Sequence, residues 1–182
     1  MSVVTVVFTV MRMIIGLLFF GHGSQKLFGW FEGGGWPATV KMTENMKFWP
    51  PNFWAGVVAF SEFVGGICLF FGFLTPIAAA VVIGVMLMAI LKVHAPKGLW
   101  NTQGGFEFPL VMIAAATLIG VSDPGVYSLD HALGITWPNP AVFGISILVV
   151  VVGVILGVMT TVTQPSPQIM NLADKLNRPR RP

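Results

Sequence analysis

A few residues in this chain carry charge or titrate where the surrounding sequence is almost wholly apolar. They are Arg12, His22, Lys26, Glu62, Lys92, His94 and Glu107, with the neutral but polar Gln25 beside them. Ionisable groups inside an apolar span are costly, so each is a functional candidate by default. His22, Gln25 and Lys26 are spaced to share one face of a helix. The remaining groups fall near the ends or the middle of other apolar runs. Such a set suits the headgroup of a lipid-soluble carrier such as a quinone. That headgroup needs a hydrogen-bond donor at each carbonyl and protons on reduction. Histidine titrates near neutrality, and a desolvated glutamate can be raised toward it. Lysine and arginine stabilise an anion formed on reduction. The same cations could instead hold a small anion such as thiosulfate.

The elements that must position these residues follow from composition. Of 182 residues, 55% are apolar and 9% charged, with 21 glycines in addition. An ordinary soluble domain is about 25% charged. So little charge cannot cover a water-exposed globule, which excludes a soluble enzyme, a disordered chain and a nucleic-acid binder. The net charge of +3 rests on ten Lys and Arg against seven Asp and Glu. The single cysteine, Cys68, allows no intrachain disulfide, and no haem, iron–sulfur or zinc spacing occurs. No metal site is expected: His22 and His94 lack a third ligand of convincing spacing. Cys68 reads as a small buried hydrophobe.

A membrane-crossing helix needs about 20 mostly apolar residues. Five stretches qualify or nearly do: 3–28, 53–74, 75–93, a short one at 106–121, and 141–162. Their continuous apolar character argues against an alternating β-barrel. Between them lie Gly29-Trp-Phe-Glu-Gly-Gly-Gly-Trp-Pro, Trp49-Pro-Pro-Asn, Thr75-Pro76, Pro96-Lys-Gly, Asp123-Pro-Gly and Trp137-Pro-Asn-Pro. All are turn or breaker signals. The six tryptophans fall in loops or at helix ends, as an interfacial belt would place them. In the first loop, Val40, Met42, Met46, Phe48 and Trp49 fit either a short interfacial helix or a plain loop. The expected fold is all-α: a polytopic membrane bundle with a four-helix core at 1–135, an added helix at 136–163 and a basic tail at 164–182.

Charge sets an orientation. Lys26, Lys41 and Lys47 belong to the first loop, Lys92 and Lys97 to the third, and Lys175, Arg178, Arg180 and Arg181 to the tail. The other two loops have no Lys or Arg. The positive-inside rule then makes the first and third loops and the tail cytoplasmic, with the N-terminus outside. Counting depth from the cytoplasmic ends puts Glu62 between Arg12 and His22. Lys26, His94 and Glu107 fall near the same boundary. One polar pocket could hold Arg12, His22, Lys26, Glu62, His94 and Glu107. Alternatively, Arg12 and Glu62 form a structural ion pair, Lys26 and Lys92 are snorkelling anchors, and His22 bonds only to backbone.

Four segments resemble the DoxX family. They are Arg12-Met-Ile-Ile-Gly-Leu-Leu-Phe-Phe-Gly-His-Gly-Ser-Gln-Lys-Leu-Phe-Gly, Glu62-Phe-Val-Gly-Gly-Ile-Cys-Leu-Phe-Phe-Gly-Phe-Leu-Thr-Pro, His94-Ala-Pro-Lys-Gly-Leu-Trp with Gly104-Gly-Phe-Glu-Phe-Pro-Leu, and Asp123-Pro-Gly-Val-Tyr-Ser-Leu-Asp. They cover about 10–133 in the family's order. The resemblance implies a four-helix bundle of the bacterial inner membrane and a link to redox or sulfur metabolism. The family takes its name from a membrane subunit of a thiosulfate:quinone oxidoreductase. The positions that match are Arg12, His22, Lys26, Glu62, His94, Glu107 and Asp130. The fifth span lies beyond the family core, and the outside N-terminus departs from the family's expected topology.

Together these readings give a quinone-interacting membrane subunit as the expected function. Glu62, His22 and Glu107 are its candidate catalytic groups. Arg12, His22, Lys26 and His94 are its candidate binding groups. Arg12 and Glu62 would fix the pocket, His22 and Lys26 would hold the headgroup, and Glu107 or His94 would exchange protons. The expected partners are membrane lipids and another membrane subunit, or a second copy. The alternatives are a non-catalytic scaffold and, more weakly, a small-solute or proton transporter.

Overall fold

The computed structural model describes residues 3–161; the basic tail at 164–182 lies outside the described residues. Those residues build seven α-helices: α1 (Val3–Phe28), α2 (Gly35–Asn45), α3 (Pro51–Phe71), α4 (Thr75–Ala89), α5 (Glu107–Val121), α6 (Leu129–Ala132) and α7 (Asn139–Met159). The first loop therefore does carry a helix, α2. No strand occurs among the described residues, only an isolated bridge between Phe48 and Thr161.

Four helical runs are long and apolar enough to cross a bilayer: Val3–Phe28, Pro51–Phe71, Thr75–Lys97 and Asn139–Met159. The third continues α4 through a π turn, Ile90–His94, and a 3-10 turn, Ala95–Lys97. Helix α5 has 15 residues, about 22 Å of rise, against a hydrocarbon core of about 30 Å. It still runs from the lysine-bearing end of the bundle to the end that holds the α3–α4 turn. The outer surface is apolar along α1, α3, α5 and α7, with Leu17, Phe60, Leu110 and Leu148 all exposed. An apolar surface of that extent calls for lipid or a protein partner in place of water.

Helices α1 and α3 pack backbone to backbone. A Cβ on Gly16 would fall 2.4 Å from the Phe70 nitrogen, one on Gly23 2.3 Å from the Phe63 nitrogen, and one on Gly66 2.2 Å from the Phe20 nitrogen. Small residues permit this close approach in a membrane, where apolar burial alone drives no association. Gly21, by contrast, faces open space.

Helix α4 is the central element. Its Ala78, Ala79, Ala80, Val82, Ile83 and Met86 form the core with Ile15, Phe19, Leu69, Ala116, Ile119 and Phe143. Half-buried Cys68 packs against this core, as a small hydrophobe should. Helix α7 leans on α4. Gly84 faces Val150, and Gly157 faces Met88 and Trp54. Most of the rest of α7 looks outward: 11% of its apolar window is buried, against 44% for the α4 run. Trp54 is buried between Phe48 and α7 and does not join the interfacial belt.

Candidate functional site

The polar residues fall into three separate groups. The first lies at the α3–α4 turn. Gly72 ends α3 in the left-handed conformation (φ +66°), and the Phe73 amide donates back to the Cys68 carbonyl at 2.8 Å. This is the usual glycine helix stop. Arg12, 2% exposed, reaches the same turn. Its Nη1 donates to the Leu69 and Phe70 carbonyls at 2.6 and 3.0 Å, and its Nη2 donates to the Tyr127 carbonyl at 3.0 Å. A Cβ on residue 72 would lie 2.4 Å from Nη1, so Gly72 also makes room for the guanidinium.

Asp130 is fully buried beside this turn. Its Oδ1 accepts from the Leu74 amide at 2.9 Å, and its Oδ2 accepts from the Thr75 amide and hydroxyl at 3.0 and 2.8 Å. Arg12 thus donates to carbonyls at the end of α3, one of which (Leu69) also accepts from the Gly72 amide, while Asp130 accepts from amides at the start of α4. Each charge meets the helix end of opposite polarity. The expected pairing of Arg12 with Glu62 does not occur, and Arg12 stands apart from the other candidates.

The second group is Lys26 and Glu62. Lys26 Nζ donates to Glu62 Oε2, the only ion pair among the described residues. The Glu62 side chain is 6% exposed and that of Lys26 21%. Depth counted from flush helix ends had put Glu62 between Arg12 and His22. The ends are not flush. With Gly16 against Phe70 and Gly23 against Phe63, α3 starts about seven residues, or about 10 Å, beyond the end of α1. That offset brings Glu62 level with the last turns of α1. Helix α2 fills the resulting step: Thr39 Oγ1 donates to the Lys26 carbonyl at 3.0 Å, and Thr43 Oγ1 donates to the Pro51 carbonyl at 2.9 Å.

Aromatic rings continue from the pair along the same two helices. Phe63, next to Glu62 in sequence, lies 5.2 Å from Phe20 and 5.5 Å from Phe28, centroid to centroid. Phe28 lies 5.0 Å from Trp30. Phe28 and Trp30 are both about half exposed. Residue types alone did not single out this cluster, because nothing in the sequence distinguishes these phenylalanines from lipid-facing ones.

The remaining candidates serve local structure. His22 is exposed and meets Gln25 Oε1 at 3.2 Å; Gln25 Nε2 in turn donates to the Phe31 carbonyl at 3.1 Å. His94 Nδ1 meets the Gly104 carbonyl at 2.6 Å, and Glu107 Oε2 accepts from the Asn101 amide at 3.0 Å. These two bonds close the loop between the α4 run and α5. The structure does not gather Arg12, His22, His94 and Glu107 around Glu62; only Lys26 joins it. No cluster of three or more metal-ligating side chains occurs among the described residues.

Comparison with known proteins agrees with the helical part of this geometry. The DoxX family model matches residues 7–95, from the second turn of α1 to the π turn. The matched stretch contains Arg12, His22, Lys26, Glu62 and His94; Glu107, Asp130 and α7 lie beyond it. The chain is 29% identical over 109 residues to "Inner membrane protein YqjF" of Escherichia coli (strain K12), covering 60% of this chain and 82% of that protein. It is also 29% identical over 122 residues to "Putative oxidoreductase CatD" of Bacillus subtilis (strain 168), covering 66% of this chain and 81% of that protein. No solved structure matches. Over residues 7–95, the segment that holds the paired glycines, Lys26 and Glu62, this helical membrane bundle matches the DoxX family model.

Proposed function

We propose that this protein is a redox-associated subunit of the bacterial inner membrane that binds a quinone-type headgroup at Lys26 and Glu62. The observation that carries the reading is the ion pair itself, set inside the bundle yet open on its lysine side. A buried pair is weak evidence for stability, since well-packed apolar residues are often as stable. A functional reason for keeping it is therefore favoured. The donor set fits a quinone: Lys26 has two N–H groups beyond the one given to Glu62, and the half-exposed Phe28 and Trp30 rings offer faces for a planar ligand. When bound, a quinone supplies two-electron redox chemistry. Lys26 would donate to its carbonyl, and Glu62 would hold Lys26 in place and exchange a proton with it. The name of the Bacillus subtilis relative agrees with a redox role, and that of the Escherichia coli relative with an inner-membrane location. The lysine-bearing end would face the cytoplasm by the positive-inside rule, leaving the N-terminus outside.

The test is gentle purification from native membranes with mass spectrometry of the extracted lipids. Stoichiometric quinone in the wild type, lost in folded Lys26→Gln and Glu62→Gln variants, is the expected result. No quinone in the wild type would overturn the proposal. A second reading, a scaffold subunit of a larger membrane complex, is favoured by α7. This helix lies outside the matched family segment and leaves most of its apolar surface uncovered. A stoichiometric protein partner without quinone would support it.

A further inference from the structure

Three lysines far apart in sequence meet at one concavity. Lys41 comes from α2, Lys92 from the π turn and Lys97 from the 3-10 turn. With Met42, Asn45 and Met46 they line an open pocket of about 480 Å³. No acidic residue lines it, and the only ion pair among the described residues is the one between Lys26 and Glu62. Three lysines therefore border one concavity with no carboxylate on its wall. Lys92 is held in place: its Nζ donates to Thr161 Oγ1 at 3.4 Å and lies 5.2 Å from the centre of the Phe48 ring. The π turn brings it there, since the wider turn rotates Lys92 away from the register that a plain α-helix would give.

The depth of this pocket is marked by indoles. Trp30, Trp36, Trp49 and Trp100 are all exposed at the same end of the bundle, and exposed tryptophans collect at the headgroup layer. An unpaired basic cluster at that depth attracts anionic phosphate. The methionines beside it suit the glycerol and first methylenes of a lipid, which a free anion would not need. We infer that the pocket formed by Lys41, Lys92 and Lys97 binds the phosphate of an anionic phospholipid. The site is separate from the Lys26–Glu62 pair and stands whether or not that pair binds quinone.

The test uses the full chain in neutral detergent, titrated with dioleoylphosphatidylglycerol, dioleoylphosphatidylcholine or inorganic phosphate, and read by native mass spectrometry and thermal unfolding. Phosphatidylglycerol should bind and raise the unfolding temperature, while phosphatidylcholine should not. Each of Lys41→Gln, Lys92→Gln and Lys97→Gln should weaken binding about five-fold, and the triple variant about 100-fold. Lys47→Gln, at the same end but outside the pocket, should leave it unchanged. If the triple variant does not fold, the Lys41→Gln and Lys97→Gln variants decide, because both side chains are exposed. Equal weakening by Lys47→Gln would show diffuse attraction and overturn the proposal. So would competition by inorganic phosphate at lipid-equivalent concentration, which would mark a free-anion site.

Discussion

The two ends of the bundle use charge in opposite ways. At the α3–α4 turn, Arg12 and Asp130 are buried, and their hydrogen bonds go to the helix ends that meet there, to the Thr75 hydroxyl and to the Tyr127 carbonyl. At the other end, Lys41 and Lys97 project from the surface, and Lys26 shares one carboxylate while staying partly open. The first arrangement turns inward: its bonds go to the fold itself, and the one Arg12 donor left over, Nε, is buried. The second keeps donors in reserve. An ionisable residue in an apolar span is thus a functional candidate only after its partners are counted.

Substitutions can break this contrast. Gly66→Val should have the largest effect, because its Cβ would fall 2.2 Å from the Phe20 backbone and no side-chain rotation relieves that. Loss of the folded bundle, more than about 4 kcal/mol, is expected in a sodium dodecyl sulfate unfolding titration. Asp130→Ala strands the buried Thr75 amide and hydroxyl and the part-buried Leu74 amide and should cost about 4 kcal/mol by the same measurement. No loss of bound ligand should occur in the fraction that remains folded. Lys26→Met should cost about 2 kcal/mol by leaving Glu62 unpaired, and the double variant Lys26→Met/Glu62→Met should recover most of it. A double-mutant cycle with no recovery would show that the pair is not coupled.

Smaller effects sharpen the contrast. Glu107→Ala removes one exposed bond to the Asn101 amide and should cost at most about 1 kcal/mol. Faster proteolysis between α4 and α5 would reveal it. His22→Ala should change stability by less than about 0.5 kcal/mol and leave lipid-extracted quinone at the wild-type level. A loss of quinone there would move the candidate site outward to the exposed face of α1.

Much of the fold was legible because a bilayer demands long apolar runs. The expected spans match the observed helices to within about three residues at most ends, and Thr75-Pro76 marks the α3–α4 turn as the local chemistry predicts, whereas the helix stop at Gly72 lies inside the expected span. The site was less legible, for one geometric reason. Residue types identify the costly groups, but which of them meet depends on the stagger between α1 and α3. That stagger is set by Gly16, Gly23 and Gly66 and by the α2 step, and neither follows from counting inward from loops. Asp130 looked like a family position without a role, because its partners are backbone amides that no side-chain pattern announces.

The Arg12 bonds also bear on how the protein is made. The acceptors of Arg12 lie 57, 58 and 115 residues further along the chain. While the first helix emerges during synthesis, its guanidinium has no native partner, and a lone arginine near mid-helix raises the free energy of insertion by about 3 kcal/mol. The first span must therefore be held at the insertion machinery, or sit shallow, until the α3 end and the Tyr127 segment arrive. A nascent chain cut short before residue 69 lacks every native acceptor of Arg12, and one cut between residues 71 and 127 lacks the Tyr127 carbonyl alone.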